Sequence, residues 1–201
     1  MIFSRLAQVL LLLGLLPLSA CTSFRNIASI SELSSDESVL VGKVVMEGAD
    51  VSDFMIGKLV SADVQLAYEL PVKNGKLKLQ RGTGRSVQGA SFSKGQEVLR
   101  VAVKRQKVYL VGIHAGSTIV LVHNFRLFPI LVTIDPSKNA CNYIGTIALT
   151  KSGDKFKVEV RDEFAQDGKK LSELVEGCEL KKNLARKTSK SDIRELANQQ
   201  Q

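Results

Sequence analysis

The chain has no tryptophan, only two histidines and three cysteines, and no apolar run long enough to cross a bilayer. Eight phenylalanines and three tyrosines are its whole aromatic stock, poor support for a sugar-stacking surface. His114 and His123 are the only imidazoles, and no Asp or Glu lies near either in sequence. Metal ligation or acid–base chemistry therefore has little to build on. Serine is abundant, yet no Gly-x-Ser-x-Gly elbow is present; Ser91 and Lys94 share the Ser-x-x-Lys spacing but stand in a small-residue loop. The carboxylate pairs Asp50 with Asp53 and Asp162 with Glu163 lack the dense oxygen set of a calcium loop. Cys141 and Cys178 have no CxxC partners, which argues against zinc. This inventory leads us to expect neither an enzyme nor a cofactor.

What is present begins at the N-terminus. Met1-Ile2-Phe3-Ser4-Arg5 is a short basic head, and Leu6 to Leu18 is apolar apart from Gln8, Gly14 and Pro17. A basic head, a short apolar core and the small residues Ser19 and Ala20 make an export signal. Spanning a bilayer would take roughly 20 apolar residues. The ending Leu18-Ser19-Ala20-Cys21 resembles the lipobox of bacterial lipoproteins. That resemblance implies a diacylglyceryl group on the Cys21 thiol, cleavage of residues 1–20 and often acylation of the new amine. An ordinary signal peptide cut after Ala20 is the alternative. Thr22 stands where many proteobacterial lipoproteins carry an inner-membrane retention Asp, so the resemblance implies outer-membrane delivery, on the periplasmic face.

With Cys21 given to lipid, Cys141 and Cys178 remain as a pair in a compartment where disulfides persist. A bridge between them would contribute roughly 3.5–4 kcal/mol by chain entropy; two free buried thiols are the alternative. Without Arg5, the chain carries 27 basic and 20 acidic side chains. Lys181, Lys182, Arg186, Lys187, Lys190 and Arg194 against Asp192 and Glu195 place more than half of that excess in residues 181–201. Such a segment reads as a flexible basic tail, with anionic lipid, lipopolysaccharide or peptidoglycan as candidate partners. Nucleic acid is not expected, because no reader motif is present and export removes the usual partner.

Between these ends, residues 21–38 read as a Ser-rich tether. Seven of the seventeen residues from Thr22 to Ser38 are Ser or Thr. As a coil this stretch would hold a domain about 20–25 Å from the membrane. Residues 39–180 then read as a single β domain. Short Val/Ile/Leu runs recur at Val39–Met46, Lys58–Tyr68, Gly75–Gln80, Glu97–Lys104 and Lys107–Ile113, and again at Thr118–Leu127, Ile130–Ile134, Tyr143–Leu149 and Phe156–Arg161. Alternation in Val64–Tyr68 and Phe156–Arg161 predicts sheets with one buried face. Asn74-Gly75 predicts a tight hairpin. Gly112–Gly116 reads as a turn, and Pro129 as a break, bend or edge. Lys169–Glu176 predicts one short C-terminal helix. The fold class expected is all-β, an antiparallel sandwich of immunoglobulin-like or transthyretin-like type with that one helix.

Three stretches carry a family resemblance within Val39–Arg161. Leu40-Val41-Gly42-Lys43-Val44-Val45 looks like the first strand of transthyretin-like, carboxypeptidase-regulatory-type modules. Lys107–Ile113 is similar to their late G-x-Y-x-L strand without its glycine before Tyr109, and Asn142–Ile147 resembles the YIG-x-I strand that follows such modules. The resemblance implies a sandwich and no activity. Arg81-Gly82-Thr83-Gly84-Arg85 offers backbone N–H groups and two cations as a candidate anion site. The expected function is a lipid-anchored, non-catalytic domain that meets another envelope protein. The alternative is a binding module for an anionic envelope polymer or lipid, using the basic tail and the Gly/Arg loop.

Overall fold

The computed structural model describes residues 24–48, 60–80, 82–87, 96–119, 122–136, 140–152 and 155–199. Among these, the protein is all-β with two short helices. One sheet is built from β1 (Arg25–Asn26), β2 (Glu37–Glu47), β7 (Gln96–Lys104), β10 (Cys141–Ser152), β11 (Lys155–Arg161) and β12 (Leu180–Lys182). The second contains β3 (Val60–Ala67), β6 (Arg85–Ser86), β8 (Val108–Ile119), β9 (Val122–Ile134) and β13 (Arg186–Lys187). Strands β4 (Val72–Lys73) and β5 (Lys76–Leu77) form a separate hairpin, with Asn74 and Gly75 both at positive φ, as the Asn-Gly signal requires.

Alternation along the strands sends one set of side chains between the sheets. Leu40 and Val44 of β2, Leu99, Val101 and Val103 of β7, and Ile147 and Leu149 of β10 meet Val64 and Leu66 of β3, Leu110 of β8 and Val132 and Ile134 of β9. All are buried, and each such side chain removed from water contributes about 1.5–3 kcal/mol.

The other face of each sheet is covered too. Helix α1 (Phe164–Ser172) places Leu171 with Val39, Val41, Ala102, Cys141, Tyr143 and Val175 on the outside of the first sheet. Helix α2 (Lys190–Gln199) and the β4–β5 hairpin cover Ala67, Leu70, Tyr109 and Val111 on the outside of the second, with Leu77 and Leu196 packed against them.

Several expectations change. The first sheet is mixed rather than antiparallel throughout, because β10 runs parallel to both β2 and β12. β10 also changes neighbours along one edge, pairing Cys141–Tyr143 with β12 and Thr146–Ser152 with β11. The switch falls at Gly145 (φ +92°), where a Cβ would meet the Arg161 carbonyl at 2.8 Å. The turn expected at Gly112–Gly116 is continuous strand, since β8 pairs with β3 and β9 on its two sides there. Pro129 lies inside β9 beside a register shift, with Leu131 at φ +61°, a bulge that lets the strand continue past a missing N–H.

Two helices stand where one was expected. The first starts at Phe164, whose ring packs 5.2 Å from Tyr143, and ends in a turn before Glu176. The second occupies the stretch read as a flexible tail. Ser189 and Asp192 cap it reciprocally, and Arg186 grips the Asp192 carboxylate with both guanidinium nitrogens at 2.6 and 2.8 Å. Residues 180–187 pair with both sheets through β12 and β13. The tail is thus structured because its few apolar residues, Ala185 and Leu196, reach the two cores.

Candidate functional site

Cys21 lies outside the described residues, which begin at Phe24. Phe24 is 2% exposed, sits in the core between the sheets and stacks at a tilt on Tyr68, centroids 4.9 Å apart. β1 then pairs antiparallel with β7, Arg25 beside Ala102 and Asn26 beside Val101. Ile27 is equally buried on the outer face, and its N–H donates to the Arg100 carbonyl at 3.1 Å. The tether expected over 21–38 is therefore packed chain from Phe24 onward.

Polar groups fix the same stretch. Ser29 and Glu32 form a capping box around the turn Ile30–Glu32. Arg25 donates to both Glu37 carboxylate oxygens, at 2.7 and 2.8 Å, and to the Glu32 carbonyl. The guanidinium holds Glu37 down to about 2, helped by the Ser34 N–H. The signals were in the sequence: Phe24, Ile27 and Leu33 as apolar anchors, and Ser29-x-x-Glu32 as a cap. Serine density hid them.

The antiparallel register sets where the chain enters. Phe24 precedes Arg25 and so runs toward the end of β7, where Lys104-Arg105-Gln106-Lys107 crosses from one sheet to the other. The Lys104 N–H donates to the Tyr68 hydroxyl, while Arg105 donates from its N–H to the Asp36 carbonyl and from Nε to the Glu37 carbonyl. A cleft of about 390 Å³ opens at this end, lined by Tyr68, Glu69, Gln106, Lys107 and Tyr109 on one side and by Asp192, Glu195 and Leu196 of α2 on the other.

Cys141 and Cys178 are joined in a disulfide, their Cα atoms 5.9 Å apart. It clips the start of β10 to the turn after α1, inside the small core that also receives Ile27 and Leu33. That turn holds the N-terminal segment directly: the Ile30 N–H donates to the Glu176 carbonyl and the Glu176 N–H to the Ala28 carbonyl.

The Gly/Arg loop is only partly described, Arg81 lying outside. Gly82 takes φ +87° in a turn closed by the Thr83 N–H donating to the Gln80 carbonyl. Gly84 packs where a Cβ would meet Val111 at 2.6 Å, and Arg85 sits on β6 beside Leu66. Both glycines thus answer a backbone requirement. His123 is on β9 and His114 on β8, with His114 Nδ1 3.7 Å from Asp63. Asp162 pairs with Lys182, and Glu163 accepts from the Thr146 hydroxyl at 2.7 Å. Asp50, Asp53, Ser91 and Lys94 are outside the described residues. Among those described, no three His, Cys, Asp or Glu side chains gather closely enough for a metal.

Sequence reading passed over one buried charge. Glu97 on β7 points between the sheets at 1% exposure, and among the described residues no side chain donates a hydrogen bond to its carboxylate, the Val64 backbone N–H being the one group that favours its charge. Burial, with repulsion from Asp63 added, pushes it up to about 8. It lies eight positions before Arg105, toward the Gln96 end of β7.

The chain matches no family model, no curated protein and no solved structure.

Proposed function

We propose that this protein is an envelope lipoprotein, anchored by acylated Cys21, whose β domain acts by binding rather than catalysis. The observation that carries the reading is the continuity of Leu18-Ser19-Ala20-Cys21 with a domain that begins three residues later at Phe24. An export signal ending at a cysteine, followed at once by packed chain, is what an anchored domain needs. Thr22 directs it to the outer membrane, on the periplasmic face, and its partner is another envelope protein meeting exposed strand edges and loops. The transthyretin-like kinship belongs to the same proposal: its three stretches fall on β2, β8 and β10.

Binding of an anionic polymer through the tail draws less support. Lys181, Lys182 and Arg186 are engaged by Glu179, Asp162 and Asp192, which leaves Lys187, Lys190 and Arg194 as the main cationic contribution. The experiment is palmitate labelling in cells, with crosslinking and mass spectrometry beside it. Wild type labels and sediments with membranes, Cys21→Ala does neither, and one abundant crosslinked partner appears. An unlabelled wild type refutes the anchor.

A further inference from the structure

We infer that the end of the domain carrying the β7–β8 connection is held against the phospholipid headgroup layer, with the opposite end turned away from it. This rests on acylation of Cys21 and adds to it an orientation. Two residues, Thr22 and Ser23, lie between Cys21 and Phe24, and the three steps of extended chain reach at most about 11 Å. Phe24 cannot pay out further chain, because its ring is buried against Tyr68 and β1 is hydrogen-bonded to β7. The standoff is therefore about half of what a free Thr22–Ser38 coil would give.

Direction follows from register. With Arg25 beside Ala102, the chain meets the domain at the Lys104 end of β7, so Lys104–Lys107 and the neighbouring residues Asp36 and Glu69 form the facing surface. Lys104, Arg105 and Gln106 are exposed there. The charges nearly balance, Lys104, Arg105 and Lys107 against Asp36 and Glu69, since Arg25 and Glu37 neutralise one another. Covalent reach rather than charge thus sets the seat, and the cleft between Tyr68 and Leu196 opens at headgroup level. Gln96, at the other end of β7, stands about 27 Å away at the usual rise per strand residue. Protein partners then have the Gln96 end and the flanks, not the anchor end, available to them.

The test uses full-length acylated protein in phosphatidylcholine vesicles, with and without phosphatidylglycerol. An environment-sensitive fluorophore is placed on Gln106→Cys or Gln96→Cys, and a nitroxide on the lipid headgroups acts as quencher. Palmitate on the purified protein is checked first. The label at 106 loses most of its emission and the label at 96 keeps it, in both lipid mixtures. A ~15-residue Gly/Ser spacer after Thr22, reaching roughly 20 Å, removes the difference. Equal quenching at both positions in palmitate-bearing protein overturns the orientation while leaving the anchor intact. A difference seen only with phosphatidylglycerol overturns covalent reach as its cause. Protein without palmitate removes the anchor and the orientation together.

Discussion

Glu97 shows what a single buried charge does to stability. Its carboxyl is buried between the sheets and pushed up to about 8. Between the ordinary carboxylate range and that value, the folded protein keeps a proton that the unfolded chain has lost. Rising pH therefore destabilises the fold, beginning above about 4.5 and complete above about 8. Glu97→Gln removes the titration: its unfolding free energy from urea denaturation matches wild type near pH 4 and exceeds it increasingly up to pH 8, by on the order of a few kcal/mol. A difference independent of pH would refute this account. Nothing in Gln96-Glu97-Val98-Leu99 marks Glu97 as inward-facing except its parity with Leu99, Val101 and Val103, which alternation alone does reveal.

At the scale of elements, the sequence was most legible where one local rule acted alone. Asn74-Gly75 gave its hairpin, and β2, β3, β7 and β11 lie within a few residues of their apolar runs. Legibility failed where a neighbour decided. Gly112–Gly116 looks like a turn but is strand because β3 and β9 flank it. Residues 181–201 look like a tail, but as far as Gln199 they are ordered by β10, β9 and a reciprocal cap. Gly145 is the element-level device that lets β10 trade β12 for β11. Gly145→Ala needs a side chain at φ +92° with its Cβ 2.8 Å from a carbonyl oxygen, and costs at least about 1–3 kcal/mol. Thermal unfolding of that variant measures it; an unchanged midpoint would mean that the bulge relaxes freely.

For the whole molecule, the disulfide and the N-terminal segment form one unit. Cys178 holds the turn that hydrogen-bonds Ala28 and Ile30, and those residues precede the long strand β2. Reduction of Cys141–Cys178 lowers stability by roughly 3.5–4 kcal/mol. Hydrogen exchange then rises first at Ile30 and Glu176, whose amides donate across this junction, and later in β2 and β7. Uniform loss of protection would contradict a local clamp.

The sequence is short of histidines and of catalytic motifs, and nothing in it marked β7 as the strand on which the N-terminal segment packs. The sequence suggests a Ser-rich tether over residues 21–38, whereas Phe24 and Ile27 are packed into the domain within that stretch. Acylation of Cys21 is the central proposal, and the tryptic peptide Cys21–Arg25 from membrane-extracted protein tests it most directly by mass. The expected peptide begins at Cys21 and carries a diacylglyceryl group on its sulfur. An unmodified Cys21, or a peptide that still carries Ala20, would contradict it.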